Sequence, residues 1–168
     1  RREEELESLF DGMDDAVFVH AIDGPFEMVN ETAVERYGYT EPEFYAMSPR
    51  VLDVPDEAQK VGERLERIRQ KGAAVFETVH ETKSGAQIPV EISSAMIQYK
   101  GEPAVLSIAR NISRRKETER RFEKLFENSS VAIAQVRFVS GEPLVESVNP
   151  PFVERFAPDE EPVEVIVD

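Results

Sequence analysis

The chain has 168 residues, 40% of them hydrophobic, which is enough for one ordinary domain or for one domain and part of a second. Cysteine is absent, which excludes disulfides, thiolate metal sites and thiol nucleophiles, and no run reaches the roughly 18–20 apolar residues of a membrane span. The net charge of −14 argues against nucleic acid as a direct partner, because binding a phosphate backbone requires clustered Lys and Arg.

The acidic residues are dispersed along the chain, as on a solvated surface. Such a surface suits a cytoplasm rich in salt, where screening tolerates the self-repulsion. We therefore hypothesise a halophilic source, with a mesophilic acidic protein as the alternative. The first residue is Arg and no signal peptide opens the chain, so we expect a cytoplasmic fragment of a longer protein.

The chain opens with a predicted flanking helix over residues 1–12. Leu6, Leu9 and Phe10 follow one another at i, i+3 and i+4, the spacing of one apolar helix face. A first domain is then expected over residues 13–113. It begins with a hairpin whose strands cover 17–22 and 26–30, because two apolar runs flank an Asp-Gly turn signal.

Two short helices are predicted next. Asn30 is expected to cap the first of them, which stops at Gly38. Thr40 and Glu43 form a capping box at the start of the second. Together these signals predict short helical pieces, and not a strand, directly after the hairpin.

The longest helix of the first domain is predicted over residues 57–71. Val61, Leu65 and Ile68 lie on one face of it, and Gly72 ends it. This apolar face predicts that the helix packs against a sheet.

Three further strands are predicted over residues 75–82, 88–97 and 104–110. The element order predicts an α+β fold, a five-stranded antiparallel sheet with helices on one face and connector helices at its ends. Alternation places one set of residues on the helix-facing side: Phe76, Thr78, His80, Ile88, Val90, Ile92 and Met96.

The last strand is apolar on both faces, which predicts that both faces are covered. Helices account for one face. We expect the flanking helix or a partner subunit on the other, and therefore a homodimer that forms through the flanking helix and the outer sheet face.

The pattern of helix, hairpin, Asn and second helix returns in the C-terminal part of the chain. Val148-Asn149 and Val153 to Phe156 match Val29-Asn30 and Val34 to Tyr37. The spacing of about 116 to 119 residues is that of whole domains and not of a short solenoid repeat. We expect a helical connector over residues 114–127 and the start of a second, truncated domain over 128–168.

Three stretches resemble the PAS sensory domain. Residues 30–44 are similar to its first helices, 83–91 to a turn and strand of its C-terminal half, and 109–116 to its exit motif, usually written Asp-Ile-Thr-x-Arg-Lys. The order and spacing of the three agree with the family. The resemblance implies a sensory module of a signal-transduction protein, with neighbouring PAS and output domains such as a histidine kinase.

The resemblance also implies a cavity between helices and sheet, to be filled either by side chains or by a small apolar or aromatic ligand. Its expected lining is Met28, Tyr37, Phe44, Leu65, Phe76, Thr78, His80, Val90, Ile92, Ser107 and Ala109. No Arg or Lys lies on the inward parity of the strands, so an anionic ligand is disfavoured.

The cofactors that the family is known to bind do not identify a ligand for this chain. A covalent flavin adduct is excluded because it needs a Cys, and haem is disfavoured because residues 57–71 contain no His. The redox-flavin branch usually carries a Trp, which is also absent. No metal ligands are predicted.

The exit segment Asn111-Ile112-Ser113 is expected to relay the signal. The family usually has Asp where Asn111 stands, so the charged pair that Asp would make is missing. Ser113 is a predicted N-cap of the connector helix. That helix has no sustained heptad pattern, which indicates a short connector.

Two functions of different classes follow. The first is a PAS sensory and interaction module that relays a ligand-dependent or partner-dependent change. The alternative is an enzyme that uses the same cavity, with His80 and Tyr37 as acid and base groups. The sequence contains no phosphate loop, nucleophile elbow or metal-ligand spacing, so the first is favoured and no catalytic residue is assigned.

Overall fold

A computed structural model describes residues 2–156, without the side chains of residues 2, 3, 6 and 7. The Leu6 side chain and residues 157–168 of the predicted second domain therefore lie outside the described residues. The chain divides into two compact units between Arg114 and Arg115.

The first unit contains the predicted elements in the predicted order. Its strands are β1 Ala16–Ala21, β2 Phe26–Val29, β3 Ala73–Glu81, β4 Gln87–Tyr99 and β5 Glu102–Asn111. Its helices are α1 Arg2–Asp11, α2 Glu31–Tyr37, α3 Glu41–Tyr45, α4 Pro55–Ala58 and α5 Val61–Lys71, with a 3-10 turn at Pro49–Val51. A last helix, α6 Ser113–Glu127, follows β5 and crosses the boundary between the units.

The strands form one antiparallel sheet in the order β2-β1-β5-β4-β3. Helix α2 packs on β1, α3 packs on β2, and α5 packs on β3 and β4. The prediction of an α+β, PAS-like fold with a five-stranded antiparallel sheet is thereby confirmed.

The local helix signals act as expected. The Asn30 side chain caps α2, and Gly38 ends it with φ = 76°, a left-handed conformation that glycine adopts without strain. Glu43 Oε2 accepts a hydrogen bond from the Thr40 backbone N–H at 2.9 Å, which starts α3.

The prediction of a single helix over 57–71 was wrong. The structure has two helices there, α4 and α5, separated by Gln59 and Lys60. No residue of α4 is buried, whereas Val61 and Ile68 of α5 are. The apolar face begins only at Val61, so packing on the sheet orients α5 and places no such constraint on α4.

An aromatic cluster forms the centre of the core between the sheet and helices α2 and α3. The Phe18 ring centroid lies 5.2 Å from that of Phe26, 5.7 Å from Tyr37 and 5.9 Å from Phe44. All four side chains are at most 2% exposed. Such ring pairs contribute about 0.5–1.5 kcal/mol each beyond the burial of their area.

Asn30 joins three parts of the first unit. Its side-chain Oδ1 accepts hydrogen bonds from the backbone N–H of Val17 at 2.9 Å and of Ala33 at 3.0 Å. Its Nδ2 donates to the carbonyls of Phe10 at 3.2 Å and Asp15 at 3.0 Å. Asn30 is completely buried, so one side chain links the end of α1, the start of β1 and the start of α2.

The second unit repeats this arrangement with Asn149. Its described elements are β6 Ala134–Val139, β7 Glu142–Val148 and α7 Pro150–Phe156. Asn149 Oδ1 accepts from Ile133 N–H at 2.7 Å, and Nδ2 donates to Phe126 at 3.0 Å and to Val131 at 2.8 Å. The end of α6 is therefore held in its unit as the end of α1 is held in the first.

The exit from the sheet differs from the prediction in one detail. Ser113 is the first residue of α6 and not its N-cap, and the Asn111 side chain accepts a hydrogen bond from the Ser113 N–H at 2.9 Å. Ile112 is 4% exposed, and its N–H donates to the Pro89 carbonyl at 3.0 Å. Asn111 thus provides the capping oxygen two residues earlier than expected, because its short side chain reaches the turn.

Candidate functional site

A cavity of about 390 Å³ lies between the inner face of the sheet, helix α5 and the segment before α4. Five of the predicted residues line it: Leu65, Phe76, His80, Ile92 and Ser107. The remaining apolar lining comes from Phe18, Ile22, Phe26, Leu52, Val61 and Ile68. The volume falls within the range of ligand pockets, about 300–1,000 Å³.

The other six predicted residues do not line this cavity. Four of them, Tyr37, Phe44, Val90 and Ala109, belong to the core cluster and have no exposed surface. Val90 and Ala109 lie on the inner face of the sheet, and Tyr37 of α2 and Phe44 of α3 pack in the same cluster, so this part of the sheet is covered. Alternation along a strand identifies the face of the sheet on which a residue lies. It does not show whether the residue is packed in the core or lines a cavity.

Met28 lies on the other face of the sheet. The register places Met28 opposite Val19, whereas Phe18 and His20, the neighbours of Val19, line the cavity. The pairing shifts between Val19, which pairs with Met28, and His20, which pairs with Phe26. This irregularity in β2 changes the face on which Met28 lies, and it cannot be recognised from the sequence of the hairpin.

Tyr37 and His80 are hydrogen-bonded to each other at 2.7 Å between Oη and Nδ1. Burial raises the pKa of the Tyr37 hydroxyl, which is completely buried. Burial, together with the charges of Arg64 and Arg36, lowers the pKa of His80 to about 4. Tyr37 therefore donates to a neutral His80, whose proton is on Nε2, 3.9 Å from Asp53 Oδ1.

This geometry does not favour acid and base roles for the pair. Tyr37 does not line the cavity, so its hydroxyl has no path to a substrate bound there. His80 does line the cavity, but its Nδ1 is occupied by Tyr37. The pair is a satisfied polar contact inside the core.

Arg64 is a cavity residue that the sequence prediction missed. It is 8% exposed, and its guanidinium lies 4.4 Å from the centre of the Phe76 ring. The sequence argument about cations covered only the inward residues of the strands, and Arg64 lies on helix α5. Arg64 falls three residues after Val61 and four before Ile68, so helical spacing places it on the buried face of α5.

Two carboxylates hold Arg64. Nη1 lies 3.4 Å from Asp53 Oδ1, and Nη2 donates to Glu57 Oε2. Thr78, predicted as a cavity residue, instead donates to Asp53 Oδ1 at 2.7 Å. Burial raises the pKa of Asp53 against the lowering effects of Thr78 and Arg64, whereas hydrogen bonds from Lys60 and Arg64 lower that of Glu57.

Six further polar side chains line the cavity: His20, Asp23, Ser48, Arg50, Ser94 and Ser107. His20 Nδ1 lies 2.8 Å from the Ala21 carbonyl, so Nδ1 carries the proton and Nε2 is an acceptor. Burial lowers the pKa of His20, which favours its neutral form. The hydroxyls of Ser94 and Ser107 bond each other at 2.8 Å.

Within residues 2–156, leaving aside the side chains that are not described, no three His, Asp or Glu side chains are grouped as a metal site requires. In the same part of the chain, every helix is too short or too polar to span a bilayer.

Comparison with known proteins identifies the family to which this chain belongs. A PAS domain family model matches residues 14–114, and a second PAS domain model matches residues 120–168. A methyl sulfide methyltransferase-associated sensor of Methanosarcina acetivorans is 30% identical over 118 residues, which are 70% of this chain and 12% of that protein. The chain thus spans only a small part of this curated relative.

Solved structures agree in fold. The PAS domain of an HTR-like protein from Haloarcula marismortui is 28% identical, with a TM-score of 0.61 over 66% of this chain and 92% of that one. A domain of a sensory box sensor histidine kinase/response regulator from Geobacter sulfurreducens is 27% identical, with a TM-score of 0.57 over 66% and 94%. With the family model matching residues 14–114 and the same sheet and helices, this chain belongs to the PAS domain family.

Proposed function

We propose that this chain is a cytoplasmic sensory module of a larger signal-transduction protein. It binds a small, mostly apolar ligand in the cavity beneath α5 and relays the occupied state through α6 to neighbouring PAS and output domains. The observation that carries the proposal is the cavity itself, about 390 Å³ with apolar walls and a few polar groups.

The route of the relay is short and continuous. Ser107 lines the cavity on β5, and α6 begins at Ser113 in the same stretch of chain. Between them, Ile112 is buried, and its N–H is held by the Pro89 carbonyl of β4. A ligand that displaces β5 would therefore alter the start of α6.

The similar proteins support the sensory class. The relative from Methanosarcina acetivorans is named a sensor, and the domain from Geobacter sulfurreducens is named as part of a sensor histidine kinase/response regulator.

Ligand binding is tested by native mass spectrometry of freshly purified protein and a thermal-shift screen of indoles, flavins, haem and fatty acids. A ligand at a hundredfold excess over its Kd stabilises the fold by about 2.7 kcal/mol. Leu65→Trp fills the cavity and should abolish the shift. Val75→Trp, at a position that is 65% exposed, is the control and should leave it intact. Absence of any bound species or shift would contradict the proposal.

The relay is tested by hydrogen exchange of residues 111–116 with and without the bound compound. We expect the exchange of this segment to change on binding in the wild type and to stay constant in Leu65→Trp. Binding without any change of exchange in this segment would leave a ligand site but refute the relay.

A further inference from the structure

We infer that the cavity prefers ligands that carry N–H donors. Among aromatic or apolar molecules of the same shape, it binds cations more tightly than anions. This inference rests on the proposed ligand-binding function and names the chemical class of the ligand. It follows from three observations: the charge balance around Arg64, the open acceptor atoms in the wall, and the aromatic lining.

The nearly buried charges around the cavity do not cancel. The exposed fractions of the Arg64, Asp53 and Glu57 side chains are 10%, 7% and 19%. One guanidinium thus faces two carboxylates in this group, and of the two carboxylates Asp53 lines the cavity. The exposed side chains of Arg50 and Asp23 also line it, and their opposite charges balance each other. Lys60 also pairs with Glu57, but its side chain is 57% exposed, so solvent screens it.

Arg64 does not offer its charge to an anion. Its Nη1 and Nη2 groups already face Asp53 Oδ1 and Glu57 Oε2. A carboxylate ligand would have to displace one of these side chains or lie beside it, at the cost of repulsion in a poorly solvated place. The net charge of −14 opposes the approach of anions as well.

Two acceptor atoms of the wall remain available. Asp53 Oδ1 receives hydrogen bonds from Thr78 and Arg64, but among the described residues none donates to Oδ2. His20 Nδ1 is bound to the Ala21 carbonyl, and no described residue donates to its Nε2. Both residues line the cavity, and they are largely buried, so N–H groups of a ligand are the partners that fit.

The rest of the wall fits a flat apolar body. Phe18, Phe26 and Phe76 line the cavity together with aliphatic side chains of α5. A planar ligand with an N–H group could place its ring against these side chains and donate one N–H to Asp53 Oδ2. An amidinium is such a group, and its positive charge strengthens a hydrogen bond to a carboxylate.

The experiment compares benzamidine, benzamide and benzoate, which have almost the same shape and differ in charge and donors. Their affinities are measured by NMR titration of the chain at pH 7.5 in 1 M NaCl, where the Debye length is about 3 Å and non-specific attraction to the acidic surface is screened. We expect benzamidine to bind most tightly, benzamide less tightly and benzoate least.

Asp53→Asn tests the residue that the inference names. The amide keeps an acceptor for Thr78 but loses the charge, so benzamidine affinity should fall by about ten- to hundredfold, as expected for a charge-assisted hydrogen bond. Glu63→Gln is the matched control, because it also removes one negative charge, and Glu63 is 76% exposed, paired with Arg67 and absent from the cavity lining. It should change the affinity by no more than about twofold.

The outcomes separate the two proposals. If benzoate binds most tightly, or if the wider screen yields only anionic or purely apolar ligands, the inferred ligand class is wrong while the sensory function stands. If no compound of either set binds, the proposed ligand-binding function fails and the inference with it. The ranking of benzamidine, benzamide and benzoate affinities in the wild-type chain tests the inferred ligand class even if Asp53→Asn does not fold.

Discussion

At the scale of single residues, several buried polar side chains of the candidate site are hydrogen-bonded to one another. Tyr37 and His80 form one pair, and Asp53, Thr78 and Arg64 form a second group. Among the described residues, no buried side-chain nitrogen or oxygen lacks a partner. Breaking one such contact inside a protein costs about 1–3 kcal/mol, so these groups also hold the segments that carry them.

His80 makes the stability of the first unit depend on pH. Its pKa is lowered to about 4 in the folded state and is about 6.5 in an unfolded chain, so below pH 6.5 the unfolded state binds the proton more readily. The contribution of neutral His80 is complete above this pH and is lost as the pH falls towards 4. The loss is about 1.4 kcal/mol per pH unit and about 3 kcal/mol in all.

The measurement compares urea unfolding of the wild type and His80→Gln between pH 7.5 and 4.5. The variant cannot take up the proton, so its free energy of unfolding should fall less steeply with acid. His20 and the carboxylates titrate in both proteins, so the difference between the two curves isolates His80. Parallel curves would show that His80 is not held neutral by burial.

At the scale of elements, Asn30 decides how the flanking helix joins the domain. Asn30→Asp keeps the oxygen that caps α2 but turns the two donated bonds, to Phe10 and Asp15, into contacts between a carboxylate and carbonyl oxygens. We expect a loss of about 3 kcal/mol in the free energy of unfolding, together with faster hydrogen exchange in α1.

Asn111→Asp is the matched control for this prediction. Asn111 is exposed, and its side chain accepts from the Ser113 N–H at the start of α6. A carboxylate accepts the same bond and is favoured near a helix N-terminus by about 0.3–1 kcal/mol, so stability should stay constant or rise slightly. Equal losses in the two variants would show that the donated bonds of Asn30 contribute nothing.

At the scale of the whole molecule, surface charge is expected to govern the response to salt. The net charge of −14 causes repulsion that added salt screens. Salt also weakens exposed ion pairs such as Arg69–Asp23 and Lys83–Glu43, but solvent-exposed pairs of this kind contribute little to stability. We therefore expect the melting temperature to rise from 0.05 to 1 M NaCl, and a fall would contradict the hypothesis of a halophilic protein.

Self-association through the flanking helix and the outer sheet face stays a prediction. Leu9 of α1 is 67% exposed and Val75 of β3 is 65% exposed. Light scattering in 1 M NaCl should detect a dimer that Leu9→Ser and Val75→Ser convert to a monomer. Val51→Ser, at an aliphatic side chain that is 50% exposed and lies outside the predicted interface, is the control. A wild-type monomer would refute the predicted interface.

The sequence by itself was sufficient for the elements and the fold class. Alternation along the strands, the Asn30 cap, Gly38 and the Thr40–Glu43 box act over a few residues, so each can be recognised without knowing the rest of the molecule. The same local logic failed at residues 57–71, where packing on the sheet separates α5 from α4.

Only the tertiary structure decided which inward residues line the cavity. Val90 and Ala109 share their face with Ile92 and Ser107, but the first two have no exposed surface, whereas the last two line the cavity. The difference arises from where α2, α3 and α5 lie on the sheet. Contacts such as Tyr37–His80 and Arg64–Asp53 join residues far apart in sequence. The chemistry of the cavity therefore depends on long-range packing, whereas the elements that enclose it depend on local patterns.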